Sequence, residues 1–301
     1  MNKLGINLFL WTTTMNEDLS ETLAFVKQTG YDFVEVPIAD TDVSKWTRIG
    51  EQLDALGLER VACSICGPEF SLISPDPAVR LAAVERLKGV IDCARALGAR
   101  LLTGPYHSGF KTFTGQPATR QEWNWSVDGM REVADYAKTQ GVVLSLEYLN
   151  RFESYLITAA DELIRYVEAV NHPSCRLMYD TFHAHIEEKN SPEALRTCAP
   201  YLTHVQISEN DRSTPGQGQV DFDAIFNVLN EIGYTGTISI EAFGLTPADL
   251  ASAAHIVRKM FHSPEQLAVD GLAMMRTKLI ETPALEDAVG LDGLSGNGKV
   301  V

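Results

Sequence analysis

The sequence predicts an α/β fold, a single-domain (β/α)8 or TIM barrel, from three observations. Eight short apolar runs alternate with amphipathic stretches, several of those stretches stop at a glycine just before the next run, and no glycine-rich nucleotide loop follows the first run. The chain has 301 residues, the length of one such barrel with a short extension.

The first candidate strand, 4–10 (LGINLFL), leads into Leu10-Trp11-Thr12-Thr13-Thr14, where a doubly wound open sheet would carry its phosphate-binding glycines. A helix then stops at Gly30, and 33–37 (FVEVP) is the second strand. The third, 60–65 (RVACSI), overlaps a lone Cys63-Ser-Ile-Cys66. With no second pair, that spacing reads as a strand end with one pocket-facing thiol rather than as zinc or redox chemistry. Ser74-Pro75-Asp76-Pro77 starts the next helix with a cap and a first-turn proline; Val84, Leu87, Ile91 and Ala94 form its apolar stripe, and Gly98 ends it. After strand four, 100–104 (RLLTG), the long segment 106–120 reads as an active-site loop, and the helix beyond it stops at Gly141. Strands five and six are 142–147 (VVLSLE) and 175–180 (CRLMYD), separated by a helix with Leu163, Val167 and Val170 on one face. Strand seven, 202–207 (LTHVQI), precedes a helix striped by Phe222, Ile225, Phe226, Leu229 and Ile232, which ends at Gly233; strand eight is 236–241 (GTISIE). These runs are mostly apolar rather than alternating, as parallel strands covered on both faces should be. The barrel is expected over 1–280, with 281–301 as a glycine-rich C-terminal tail.

Composition excludes several classes of function. The formal net charge is −15 and no Lys/Arg run occurs, so phosphate backbones and anionic lipid are poor partners. No stretch of apolar residues is long enough to span a bilayer, and the N-terminus reads as a strand rather than a signal peptide. Five scattered cysteines, an odd number, argue against a disulfide framework and fit a reducing cytoplasm.

In such a barrel the active site gathers at the C-terminal ends of the strands. The last polar residues of strands five to eight are Glu147, Asp180, Gln206 and Glu241. Three carboxylates converging there would repel one another unless a cation sat between them, so a divalent metal is expected. All-oxygen ligation favours Mg²⁺ or Mn²⁺, with Co²⁺ accepted. His204, two residues before Gln206 and deeper in the barrel, reads as a packed core histidine.

Several pieces of sequence carry a family resemblance: Ser74-Pro75-Asp76-Pro77-Ala78-Val79-Arg80, His107-Ser108, Leu146-Glu147 with Glu153 downstream, and Asp180-Thr181-Phe182-His183, followed by Glu209-Asn210-Asp211-Arg212 ahead of Pro215-Gly216 and by Ile240-Glu241-Ala242-Phe243. With them the chain resembles the xylose-isomerase-like sugar isomerases and epimerases, and within these the D-tagatose/D-allulose (psicose) 3-epimerases. The resemblance implies that Glu147, Asp180 and Glu241 bind the metal and that the two glutamates form the acid/base pair. It implies that Glu153, His183 and Arg212 hold the sugar oxygens, with His107 among the substrate-site residues and Trp11 and Phe243 as apolar walls. It also implies a homo-oligomer, dimer or tetramer, with a hetero-complex left open.

One position departs from the pattern. The family's fourth ligand is a histidine, and Gln206 stands there, as in the related hydroxypyruvate isomerases. A glutamine carbonyl can coordinate a hard cation without adding charge. The expected chemistry is C3 epimerisation of an unphosphorylated ketose: one glutamate removes the proton beside the carbonyl, the metal stabilises the enediolate, and the other glutamate reprotonates the opposite face. Return of the proton to another carbon would make an aldose–ketose isomerase. A leaving group in the right place would make a lyase acting on 3-oxo-glycosides, including C-glycosides. A zinc-cluster nuclease on the same barrel would need more than seven histidines and a basic groove, and a pure sugar binder would have no need of two opposed glutamates.

Overall fold

Eight parallel strands close into a ring in sequence order in the computed structural model, which describes residues 2–281, and the first strand pairs with both the second and the eighth. They are β1 (Lys3–Asn7), β2 (Phe33–Pro37), β3 (Glu59–Cys63), β4 (Leu101–Gly104), β5 (Val143–Leu146), β6 (Cys175–Asp180), β7 (Leu202–Ile207) and β8 (Thr237–Ile240). The helices are α1 (Ser20–Thr29), α2 (Val43–Leu56), α3 (Pro77–Leu97), α4 (Arg120–Gln140), α5 (Ala160–Val170), α6 (Thr181–Glu187), α7 (Ser191–Cys198), α8 (Phe222–Glu231), α9 (Ala248–Ala253) and α10 (Pro264–Glu281). The expected tail falls almost wholly outside the described residues. Among those described, no helix is long and apolar enough to cross a membrane.

The expected stripes face the core: Val84, Leu87, Ile91 and Ala94 on α3, Leu163, Val167 and Val170 on α5, and Phe222, Ile225, Phe226 and Leu229 on α8 are all buried, whereas Ile232 caps α8 and is only partly covered. Asp76 accepts a hydrogen bond from the Ala78 amide with Pro77 in the first turn of α3, and Gly30, Gly98 and Gly141 close α1, α3 and α4 in the left-handed conformation.

Several strands end earlier than their apolar runs suggest, and this sets the mouth of the barrel. The Asn7 side chain accepts from the Phe9 amide at 2.9 Å, turning Leu8–Leu10 into a 3-10 turn instead of a longer β1. β5 stops at Leu146 and β8 at Ile240, so Glu147 and Glu241 lie one residue past their strands. Their amides still extend the ladder, to Gly104 and Ile207 carbonyls at 3.2 Å each. Gly104 is required here. Its φ is +127°, and a Cβ would stand 2.1 Å from the Ser64 carbonyl oxygen. Gly104→Ala is therefore expected to lower stability by at least about 1–3 kcal/mol and to displace the strand end that holds Glu147. Urea unfolding checks this, and a variant as stable as the parent would contradict it.

All five cysteines are buried and free. Cys63 faces the cavity at the mouth, where burial, Glu35 and Glu241 push its thiol well above the ordinary range, so it is a neutral wall and not a nucleophile.

Candidate active site

Residues from the later strands converge on a cavity of about 490 Å³ at the C-terminal mouth, lined by Glu147, Gln206 and Glu241 together with Glu153, His183, Arg212 and Phe243. Asp180, the last residue of β6, is buried against the same group. Its Oδ1 caps α6 at the Phe182 amide (2.8 Å), which turns Oδ2 toward Arg212 Nη1, also at 2.8 Å. Glu241 Oε2 accepts from the same Nη1 at 2.6 Å, and its Oε1 accepts from Asn7 Nδ2 and Gln206 Nε2 at 3.1 and 3.2 Å. Glu147, Asp180 and His183 offer ligand atoms within 4.8 Å of one another, a cluster able to hold a metal ion.

The orientation of His183 follows from its neighbours. Nδ1 accepts the Asn150 backbone N–H at 3.0 Å, which leaves the ring proton on Nε2, 3.3 Å from Glu147 Oε1 and 3.5 Å from Asp180 Oδ2. Burial holds its pKa below the ordinary histidine value, against the pull of Asp180. In that tautomer the imidazole is a donor to an oxygen in the cavity and leaves the metal cluster to the two carboxylates, and Arg212 Nη2, 3.2 Å from the same nitrogen, makes a contact and not a hydrogen bond. Glu153 lies behind the ring and accepts from Asn150 Nδ2 at 3.1 Å.

Arg212 sits in a loop built to hold it. Its backbone is left-handed (φ 62°), with its amide bonded to the Glu209 carbonyl and its own carbonyl receiving the Phe243 amide. The buried Glu209 carboxylate collects the amides of Gly216, Gln219 and Val220 and so folds the loop around itself. The guanidinium lies 3.8 Å from the Phe182 ring centre and 4.7 Å from that of Phe243.

Two buried carboxylates, Asp180 and Glu241, thus share one buried guanidinium, with Glu147 also in its field, while Glu35 lies deeper beside His204. Burial pushes Glu147 well above the ordinary glutamate range, Asp180 adds to it, and Arg212 opposes it. Glu241 is raised in the same direction by burial, with Arg212 opposing and Asp180 adding. Among the described residues lining the cavity, two buried oxygens have no hydrogen-bond partner: Glu147 Oε1 and Gln206 Oε1. Unpartnered acceptors beside excess negative charge are a donor set for a cation.

The sign of the pH dependence follows. A carboxyl raised in the folded state binds its proton more tightly there than in the unfolded chain, so its contribution is full below the unfolded value and is lost as pH rises through the folded one. In chelator, the melting temperature of the parent is expected to fall, as pH rises above the ordinary glutamate range, relative to the Glu147→Gln/Glu241→Gln double variant. Parallel pH profiles would contradict it.

Two expected substrate contacts stand elsewhere. His107 is buried behind β5 and does not line the cavity. Burial lowers its pKa to about 4, and neutral Nε2–H donates to the Glu147 backbone carbonyl at 3.0 Å, so it supports the glutamate instead of meeting a sugar. Trp11 caps the 3-10 turn and packs on the core without lining the cavity, because Asn7 ends β1 early and turns the chain away. Phe9 from that turn lines it instead, edge-on to Phe243 with ring centres 6.2 Å apart. His204 is fully buried and bonded to Thr237 and Ser239, a satisfied core side chain. Sequence reasoning missed Asn7, which steadies Glu241, and Glu35, which lies beneath Gln206. The one visible signal for Glu35 was a charged residue inside the apolar run FVEVP.

The family model described as xylose isomerase-like TIM barrel matches residues 23–278. The chain is 35% identical to an L-ribulose 3-epimerase of Mesorhizobium japonicum, over 81% of this chain and 82% of that protein. It is 30% identical to a ketose 3-epimerase of Arthrobacter globiformis, over 94% and 99%. A solved structure of L-ribulose 3-epimerase superposes with a TM-score of 0.88 at 32% identity, covering 94% of this chain and 96% of the other.

Proposed function

The chain belongs to the xylose isomerase-like TIM barrel family, and from that premise we propose that it is a divalent-metal-dependent ketose 3-epimerase acting on an unphosphorylated sugar. The observation that carries the reading is the meeting of Glu147 and Glu241, from β5 and β8, on one buried cavity beside unpartnered oxygens.

Glu147, Asp180, Gln206 and Glu241 would hold the ion, and an all-oxygen set suits Mn²⁺ or Mg²⁺, with Co²⁺ tolerated. When bound, such an ion polarises a ketose carbonyl and makes the adjacent C–H more acidic. The side chains do the rest. One glutamate takes the C3 proton as the C–H electron pair moves into the C2–C3 bond and the carbonyl π pair moves onto its oxygen, and the other delivers a proton to the opposite face of C3 as that pair returns, inverting the centre. Burial raises both carboxyls in the ion-free site, and a cation bound among them would draw them back down. His183 donates its Nε2 proton to a sugar oxygen, Glu153 accepts from a hydroxyl, and Arg212 offers charge to the oxygen on which negative charge develops. Phe9 and Phe243 form the apolar wall. The loops around Arg212 carry no glycine-rich cradle, which favours a substrate without phosphate.

The test is incubation with free ketoses and 3-oxo-glycosides in D₂O with Mn²⁺, following which carbon takes up deuterium. Label at C3 with inversion is the expected result. Gln206, the feature shared with hydroxypyruvate isomerases, supports a second reading as an aldose–ketose isomerase, for which label would enter at C1. Release of an aglycone would make the protein a lyase instead.

Adding Mn²⁺ at about a hundred times its dissociation constant is expected to stabilise the protein by about 2.7 kcal/mol. At this chain length that is roughly 5–10 °C in melting temperature. No shift by scanning fluorimetry would remove the ion from the proposal.

A further inference from the structure

Glu35 lies in the middle of β2, fully buried, in a layer where a barrel of this type is ordinarily filled by branched apolar side chains. Its carboxylate is held from across the ring. Oε1 accepts from Thr103 on β4, Oε2 accepts from Ser239 on β8 at 2.8 Å, and His204 Nε2 on β7 stands 3.4 Å from Oε2. A buried charge fixed by three strands would be replaced at little cost by an apolar residue if it served packing alone. Its remaining contacts go to one side chain, Gln206, whose Nε2 lies 3.2 Å from Oε1 and 3.1 Å from Oε2.

The two ends of a glutamine amide are nearly the same size, and only their surroundings decide which way they face. Nε2 of Gln206 is set against three carboxylate oxygens, two from Glu35 and one from Glu241, while Oε1 is buried with no partner. Turning the amide over would press its carbonyl oxygen against those acceptors and offer N–H groups to the cavity. We infer that Glu35 is a positioning residue that fixes the Gln206 amide with its nitrogen inward and its carbonyl oxygen free, so that Gln206 serves as a metal ligand and not as a hydrogen-bond donor. The inference rests on the metal site proposed above, and it explains how glutamine can stand where the family resemblance implies a histidine: the uncertainty of the amide is removed by a carboxylate one layer deeper.

The test is the affinity for Mn²⁺ alone, measured by titration calorimetry on the full chain without sugar. Glu35→Gln keeps the shape but can both donate and accept, so the amide at 206 is released. Affinity is expected to fall about 10–100-fold. Gln206→Leu is also expected to bind more weakly, and the double variant no more weakly than Gln206→Leu, because Glu35 then has nothing to orient. Equal affinity in Glu35→Gln and the parent, or losses that simply add in the double variant, would overturn the inference. A parent that binds neither Mn²⁺ nor Mg²⁺ would overturn the metal site as well, which separates the two failures. Should Glu35→Gln not fold, the parent labelled with ¹³C,¹⁵N-glutamine and titrated with Mg²⁺ decides. The Gln206 side-chain carbonyl carbon is expected to shift while its amide protons stay protected from exchange. Shifted nitrogen with an unmoved carbonyl overturns the inference.

Discussion

Glu147→Gln and Glu241→Gln are each expected to abolish C3 inversion, lowering its rate by roughly 10²–10⁴-fold, the range that a positioned acid or base supplies. Each substitution keeps the volume and a carbonyl oxygen and removes only the ability to carry the proton. The two sites approach the cavity from β5 and β8, so each epimer presents its C3 hydrogen to one of them. The variants should therefore differ in one respect. Deuterium should still enter C3, without inversion, from the epimer whose hydrogen faces the surviving glutamate, and not from the other. Mirror-image wash-in patterns would assign each glutamate to a face. Metal affinity must be measured alongside, since both side chains are in the proposed donor set and a lost ion would mimic a lost base. Near-parental inversion in a metal-loaded variant would take that glutamate out of the mechanism.

The barrel was legible because a parallel strand covered on both faces must be apolar along most of its length, and the eight runs each overlap one of the eight strands. The strand ends were less so. Nothing in LGINLFL marks Asn7 as the stop until its side chain is seen bonded to the Phe9 amide. The convergence of Glu147, Asp180, Gln206 and Glu241 could be foreseen because they are the last polar residues of consecutive strands, and the pattern asks only that the ring close. Glu35 could not be found that way. It lies inside its strand, and its partners Gln206 and Ser239 are 171 and 204 residues away, brought near only by closure of the barrel. His107 was visible as part of a motif, but motif membership does not say which way a ring points. Burial behind β5 decided that it bonds the Glu147 carbonyl. The position of Arg212 depends on the fold of its loop around Glu209, a set of side-chain to backbone bonds with no periodic signature.

Arg212→Leu is the second large effect expected, and it reads on stability before it reads on turnover. The guanidinium is the cation that Asp180 and Glu241 touch directly, at 2.8 and 2.6 Å, and all three groups are buried. Removing one partner of a buried ionic group leaves the others uncompensated, which costs about 3–5 kcal/mol at neutral pH. For a chain of this length that is a fall of roughly 6–20 °C in melting temperature in the presence of chelator. The cause is electrostatic, so two treatments should recover much of the loss: lowering the pH, which protonates the carboxyls, and adding Mn²⁺, which replaces the charge. Arg212→Lys should fall between, because an ammonium restores the charge but lacks the guanidinium that packs on Phe182 and Phe243. A leucine variant that melts with the parent in chelator at neutral pH would mean the carboxylates are neutral without the arginine. A leucine variant that Mn²⁺ fails to rescue would mean the ion does not sit among them.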